Sequence, residues 1–472
     1  MPDFFYHSRR LLLSYAIEGL LRFMYWRKKR RRSPGQISTG ASLAKPIPEH
    51  PQTPEDFRPL ENACFQNPYR FYAMLREQYP VYRLQNGIYC LSRYDDIAFV
   101  CRNTELFSST HQGAIVGLKP HQSVIEEGRK HDRLAALGLT PCDVLAVADQ
   151  PQHSNDRKVG HKGLNSRFVK SLESEIETQC RLLMDKFVDS GEVEFMQQVG
   201  WRLPMQIIIK LLGFPAEDYD KIKYWCMHTI STQSGVASSV DIAKSRAEIL
   251  VFIRYCWQQL AIAKKHPRND LCGVFVNAVL DPSNAMTDQQ AVSSVFQMLV
   301  AGSDSSATSM GNALKLLIEN PEVEAEIRAD ISKLDNFIEE VFRLESAFQG
   351  HFRWTKTDTV LHGIELPAGS RIFLMWAAAN RDELVFENPD KVDLNRTNGK
   401  RHLTFGHGIH ACIGRELARS EIRIVLRAFL LRTKNMTISG DAPFVASMFA
   451  HTLQKLPVRF DAVIPESQER AA

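Results

Sequence analysis

The chain reads as mainly α-helical with a smaller β region, folded as one domain, and three stretches of its 472 residues carry that reading. Residues 287–318 form a long helical candidate, with Asp288, Gln289 and Gln290 in the first turn and an apolar body that includes Val295, Phe296, Met298, Leu299 and Val300. Residues 164–279 are mostly helical in pattern, rich in apolar side chains and empty of any fixed chemical motif. Two short regions, 80–91 and 359–376, switch to β-rich patterning around turn residues.

At the amino terminus, residues 1–59 are separable from the rest of the chain. Residues 11–26 are apolar in a helical rhythm but interrupted by Glu18 and Arg22, and 16 residues fall short of the roughly 20 that span a bilayer. Phe23, Tyr25 and Trp26 close the segment, and Arg27, Lys28, Lys29, Arg30, Arg31 and Arg32 come directly after it. That arrangement predicts an interfacial helix, with residues 8–32 as a peripheral anchor at an anionic membrane surface. A basic cluster of nuclear type or a disordered tail stands beside it as an alternative. A signal peptide would carry its cations before the apolar core, so cleavage is not expected. Residues 33–59 have linker composition, the folded domain is expected over 60–464, and 465–472 is a tail.

Within the domain, residues 67–76 predict a helix with Pro68 near its start. Residues 80–84 and 87–91 predict strands joined at Gln85-Asn86 as a hairpin. Residues 107–149 show few periodic signals, and long loops often serve as lids. The helix over 287–318 is locally inconsistent at Gly302-Ser303-Asp304-Ser305-Ser306, five poor helix formers inside a favourable pattern, which marks a candidate site. Pro367 to Ser370 predicts a turn inside the late β-patterned region.

Nine cysteines, odd in number, scattered and without Cys-x-x-Cys spacing, suit a reducing, cytoplasmic compartment, with the inner face of a membrane as the peripheral alternative. The formal charge of +4 is more than accounted for by the run from Arg27 to Arg32, which leaves a nearly neutral remainder. No nucleic-acid partner is expected of such a chain.

The most informative run is Phe405-Gly406-His407-Gly408-Ile409-His410-Ala411-Cys412-Ile413-Gly414. Its glycines tighten a loop that presents one cysteine and opens into a helix. Amide donors and the positive helix end would lower the Cys412 thiol pKa. At these residues the chain resembles the cytochrome P450 family, whose haem loop runs Phe-Gly-x-Gly-x-His-x-Cys-x-Gly, and every fixed position matches. The resemblance covers roughly residues 60–462 and is nearest to soluble bacterial-type members. It implies a fold in which haem lies between the long central helix and the cysteine-loop helix.

The same resemblance implies roles for further residues. Cys412 would ligate iron protoporphyrin IX (haem b), with Phe405, Gly406, Gly408 and Gly414 shaping the loop. Ala301, Gly302, Asp304 and Ser305 match the oxygen-activating Ala-Gly-x-Asp/Glu-Thr motif, with serine in place of threonine. Asp304 would connect to bulk protons, Ser305 would hold a water network, and Gly302 would give oxygen room and allow a local helix distortion. Bending by serines bonded to preceding carbonyls is the bland alternative. His153, Arg157, Arg353 and His410 match contacts to the haem propionates. Glu340 and Arg343 match the buried Glu-x-x-Arg ion pair. The usual third partner, an arginine, aligns with Lys391, and Arg396 or another alignment would then supply the contact.

These residues imply a haem-dependent monooxygenase that inserts one atom of dioxygen, as co-substrate, into a small apolar or amphipathic substrate by hydroxylation or epoxidation. Ala301, Ala347, Phe348 and part of 107–149 would line the pocket. NAD(P)H would serve indirectly, through a separate ferredoxin or flavoprotein reductase. Arg415, Arg419, Arg423 and Arg427, spaced by four, either steer such a donor or form a solvated face with internal ion pairs. A haem-binding partner or recruitment domain with impaired turnover is the alternative function.

Overall fold

The computed structural model describes residues 2–30, 47–110, 133–283 and 286–463. Helices dominate. In chain order they are α1 (Pro2–Arg30), α2 (Asn62–Gln66), α3 (Tyr69–Gln78), α4 (Tyr94–Arg102), α5 (Gln152–Gly163), α6 (Ser166–Met184), α7 (Arg202–Leu211) and α8 (Tyr219–Ser231). Then come α9 (Ser239–Lys265), α10 (Leu271–Leu280), α11 (Asp288–Glu319), α12 (Pro321–Ala329), α13 (Leu334–Leu344), α14 (Trp376–Ala379) and α15 (Arg415–Arg432).

The long central helix, α11, starts where its sequence says it should. Thr287 accepts from the Gln290 amide while the Gln290 side chain reaches back, a reciprocal capping box, and Asn320-Pro321 ends it 32 residues later. It stays helical through Gly302 to Ser306, so the expected local distortion is absent. The serines are accommodated by bonding backward: Ser303 Oγ donates to the Leu299 carbonyl at 2.9 Å and Ser305 Oγ to the Ala301 carbonyl at 2.8 Å.

The β region is a five-stranded sheet ordered β1 (Val81–Arg83), β2 (Tyr89–Leu91), β8 (Arg371–Leu374), β5 (His351–Thr355), β3 (Phe107–Ser108). A hairpin of β6 (Thr359–Leu361) and β7 (Ile364–Leu366) lies apart from it, as does a three-stranded sheet of β4 (Glu192–Glu194), β10 (Pro457–Ala462) and β9 (Thr433–Ile438). The β1–β2 turn contains the expected Gln85-Asn86 and also Gly87, which adopts φ +85°. Strand alternation divides the apolar interior. Cys90 and Phe373 join one cluster with Phe71, Tyr72 and Phe352, whereas Leu91, Ile372 and Leu374 join another with Ile97 and Trp376.

The largest core surrounds α11, where Val295, Leu299, Met310 and Leu314 pack with Phe337 and Val341 of α13 and Leu426 and Phe429 of α15. α11 is thus held between α15 on one side and α9 on the other, the latter through Phe252 against Phe296 at 4.9 Å. Packed structure begins before residue 60, since Phe57 is buried against Phe71 and Tyr72. α1 extends beyond the predicted 11–26 and lies along α9. No helix among the described residues is long and apolar enough to cross a membrane. Residues 111–132 of the 107–149 loop, 31–46 of the linker and the tail lie outside the described residues.

Candidate active site

The cysteine loop is built from its backbone. Gly406 and Gly408 take φ +71° and +69°, and a Cβ on Gly408 would stand 2.6 Å from the Cys101 carbonyl oxygen, so only glycine fits there. The Cys412 amide donates to the Phe405 carbonyl at 2.7 Å, and Gly414 is the cap of α15. Phe405 is wedged between the Phe342 ring at 4.6 Å and the Arg419 guanidinium at 4.9 Å. Arg157 donates to the Ala411 carbonyl and thereby ties α5 to the loop.

Burial pushes the Cys412 thiol up from its ordinary value, against the Gly414 amide and the charges of Arg157, Arg415 and Arg419, which pull it down. The expected net lowering is therefore corrected. Donors and cations favour a thiolate here, but desolvation outweighs them, and a bound metal ion would have to supply the remaining charge.

Beside this loop basic groups converge, with Asp149 the carboxylate close enough to act on Arg353 and His153. Arg353 is buried on β5, donates to the Phe352 carbonyl at 2.7 Å, and has no carboxylate partner among the described residues. It lies close enough to depress both His153 and His410, whose rings stand 4.3 Å apart. Burial holds His153 below its usual range and takes His410 to about 2, so both are neutral. Ser109 Oγ meets His410 Nε2 at 2.9 Å, while Nδ1 of each histidine is buried without a partner. A buried guanidinium with N–H groups to spare, beside the partnerless Nδ1 of His153, is what the carboxylates of a haem would satisfy.

On α11, Ala301 is exposed and Asp304 and Ser305 are half-buried, while the flanking Ser303 and Ser306 are buried, so one face opens. Asp304 Oδ2 has no partner, and burial raises the carboxyl to about 6. Gly302 does not serve the expected role of leaving room on that face. A Cβ there would meet Ile208 of α7 at 3.1 Å, so this glycine lets two helices approach. Ala347 and Phe348 lie beside the loop that returns to β10, and the ring of Phe449 from that loop stacks on Phe348 at 4.6 Å.

Behind the cysteine loop, Arg343 grips Glu340 bidentately, both contacts at 2.7 Å, with both residues buried. Arg396 Nε is the third member, 2.9 Å from Glu340 Oε1. Lys391 enters only through its carbonyl, which accepts from Arg343 at 2.9 Å. Alignment by position alone misplaces that partner.

Sequence reasoning missed three groups. Glu339 bonds His402 at 3.2 Å and Arg419 at 2.7 Å, and these partners hold its carboxyl down at about 2 against burial. Arg419 is thus internal to the fold, and Arg423 is paired with Asp335 at 2.6 Å, so the four-arginine stripe is partly a set of internal ion pairs. Glu421 of α15 is buried facing Ser306, neither oxygen in a regular hydrogen bond, its carboxyl pushed up to about 8. His351 accepts the Trp376 indole N–H on Nδ1 at 2.7 Å, which puts its proton on Nε2. Only the Glu-x-x-Arg neighbourhood hinted at the first, and nothing in a single sequence marks the other two.

The loop, α13 and α15 also line a basin of about 720 Å³ whose lining mixes the cations Arg102, Lys400, Arg401, Arg415, Arg419 and Arg423 with the carboxylates Asp95, Asp335, Glu339 and Glu416, so that Arg102, Lys400 and Arg401 are the lining cations in no ion pair among the described residues. No residue of α11 lines it, so it opens on the outer side of the cysteine loop.

A helical fold holding one cysteine on a loop under a long central helix defines a class of haem-binding oxidoreductases, and comparison with known proteins agrees. A family model described as Cytochrome P450 matches residues 205–443, and the chain belongs to the cytochrome P450 family. It is 31% identical to Cytochrome P450 144 of Mycobacterium tuberculosis over 395 residues, 83% of this chain and 88% of that protein. It is 28% identical to a steroid C26-monooxygenase of Mycolicibacterium smegmatis, covering 84% of this chain and 93% of the other. Among solved structures, cytochrome P450 CYP109Q5 from Chondromyces apiculatus superposes with TM-score 0.74 at 28% identity, covering 86% and 98% of the two chains. The protein is accordingly a cytochrome P450 monooxygenase, which uses haem b, dioxygen and NAD(P)H reducing equivalents delivered through redox partners.

Proposed function

We propose that the enzyme inserts one oxygen atom into a small apolar or amphipathic molecule, by hydroxylation or epoxidation, at a haem held by Cys412. What supports the reading is the Cys412 loop with Arg157, Arg353 and the two histidines around it, joined by the partnerless Asp304 carboxyl oxygen on the central helix. Held by Cys412, a haem would supply dioxygen activation, and a thiolate ligand would favour O–O cleavage.

The chain's own residues do the rest. Arg353, His153 and His410 hold the propionates, and Arg157, tied to the Ala411 carbonyl, positions the loop and offers its remaining N–H groups. Asp304, raised to about 6, carries a proton for part of the time near neutrality and can release and regain one without leaving its place. Ser305 gives its hydroxyl proton to the Ala301 carbonyl, so its lone pairs accept from a water, and relaying a proton onward requires the hydroxyl to rotate. Phe348 and Phe449, stacked on one another, would form an apolar wall that orients substrate and keeps bulk water back, with the exposed Ala301 on the central helix as a further pocket position. The relative named a steroid C26-monooxygenase supports an apolar substrate class. The cation-bearing basin beside the cysteine loop receives an acidic ferredoxin or flavoprotein reductase.

The test is the reduced, carbon-monoxide-bound spectrum beside that of Cys412→Ala. A strongly red-shifted Soret band, lost in the variant, is expected. An unshifted band in folded wild-type protein overturns the assignment.

A further inference from the structure

α1 is held against the molecule by its charges as well as by apolar contact. The side it turns to α9 is mixed: beside the half-buried Ile17, Leu21 and Tyr25, Ser14 is buried and accepts from Arg254 at 2.7 Å, Glu18 pairs with the same guanidinium, and Arg22 bridges Glu18 at 2.7 Å and Glu248 of α9 at 3.0 Å. Arg254 also lies over the Tyr15 ring at 4.2 Å. The opposite side is apolar and faces outward, with Leu12 70% exposed, Leu20 58% and Phe23 55%, and Trp26 stacked beside Phe23 at 6.0 Å. At 3.6 residues per turn Leu12, Ala16, Leu20 and Phe23 share one stripe, roughly opposite Ser14, Glu18 and Arg22. The cationic run begins one residue after that stripe's aromatic end, at Arg27 and Lys29, both exposed.

We infer that α1 is a docked lipid-binding face: it is clamped to α9 by its charges so that its apolar stripe and the adjoining cations rest on an anionic membrane surface. The charge pattern selects this occupant. A second copy of the chain would cover the stripe but offer no counter-charge to Arg27 and Lys29 beyond it, whereas acidic headgroups satisfy those cations while acyl chains take Leu12, Leu20 and Phe23. Spanning is excluded by Glu18 and Arg22, both committed to α9.

The clamp gives the contact a direction. α9 packs on α11 through Phe252, and Trp225 of α8 stacks on that same ring at 5.3 Å, so the lipid lies on the α8–α9 side of the active-site helix. The basin beside the cysteine loop is lined by no residue of α8, α9 or α11 and stays open to a water-borne electron donor. An apolar substrate dissolved in the bilayer is then presented to the roof of the site. None of this depends on the haem chemistry proposed above.

Full-length protein floated with equimolar phosphatidylcholine and phosphatidylglycerol vesicles should rise with them, and should stay behind with phosphatidylcholine alone. Leu20→Asp with Phe23→Asp should abolish flotation while leaving the reduced carbon-monoxide spectrum unchanged, so loss of binding is read apart from loss of fold or haem. Brominated lipid should quench tryptophan fluorescence in the wild type but much less in Trp26→Phe. Failure of the wild type to float, flotation that survives the double aspartate change, or a dimer in size-exclusion chromatography that the double change converts to monomer would each overturn the proposal.

Discussion

Glu421 shows how one buried acid leaves a signature in solution. Its carboxyl is raised to about 8 inside the protein, against about 4.3 for an unfolded glutamate, so between those values the unfolded chain has released a proton that the native one still holds. Native stability therefore falls as pH rises through that window and levels off above it. In Glu421→Gln the fall should be reduced, so the variant's melting temperature should gain on the wild type's as pH rises from 5 to 8, in thermal melts at stepped pH. Asp304 makes a different demand: Asp304→Asn should slow product formation and raise peroxide release per NAD(P)H consumed, with the carbon-monoxide spectrum unchanged. At this scale the sequence was readable where a backbone pattern announced the chemistry, as with Cys412 and its glycines. It was unreadable where the environment decides, because the raised thiol, Glu421 and the His351 tautomer depend on neighbours tens to hundreds of residues away.

Among the elements, α11 and the β1–β2 hairpin follow from local signals, a capping box in one case and a turn glycine in the other. The contacts between elements do not. Gly302 reads as a breaker in sequence, yet in the fold it is the point where α11 meets Ile208 of α7. Gly302→Ala should destabilise by about 1 kcal/mol through overpacking, and Ile208→Val should recover part of it, as measured by denaturant midpoints. The Glu340 network separates two candidates that the sequence left open. Arg396→Ala strips a partner from a buried carboxylate and should cost about 3 kcal/mol. Lys391→Ala, which keeps the carbonyl that Arg343 uses, should cost less than about 0.5 kcal/mol.

For the molecule as a whole, the two proposals above would give the two sides of α11 different partners, lipid by way of α9 and an electron donor by way of the basin. If the donor is acidic, its reduction of the haem should slow as salt rises, and Arg102→Glu, at the rim, should both slow reduction and flatten that salt dependence in stopped-flow traces. The overall architecture was legible from the motif order along the chain. The orientation of α1 was not, since a helical pattern says that a face is apolar but not whether it turns inward. One detail of the Glu340 network bears on ancestry. Arg343 grasps the carbonyls of Asn380, Pro389 and Lys391, atoms that every residue type possesses, whereas the start of the segment is held by its side chains, Asn380 against Ser346 and Thr404, Arg381 against Asp390 and Asp382 against Arg93. Only the part beyond Phe386 is interchangeable: residues 387–395 exchanged as a block for those of a distant relative with the same backbone course, a carboxylate facing Arg381 and an apolar residue at 394 should yield a chimera that folds, although few letters match.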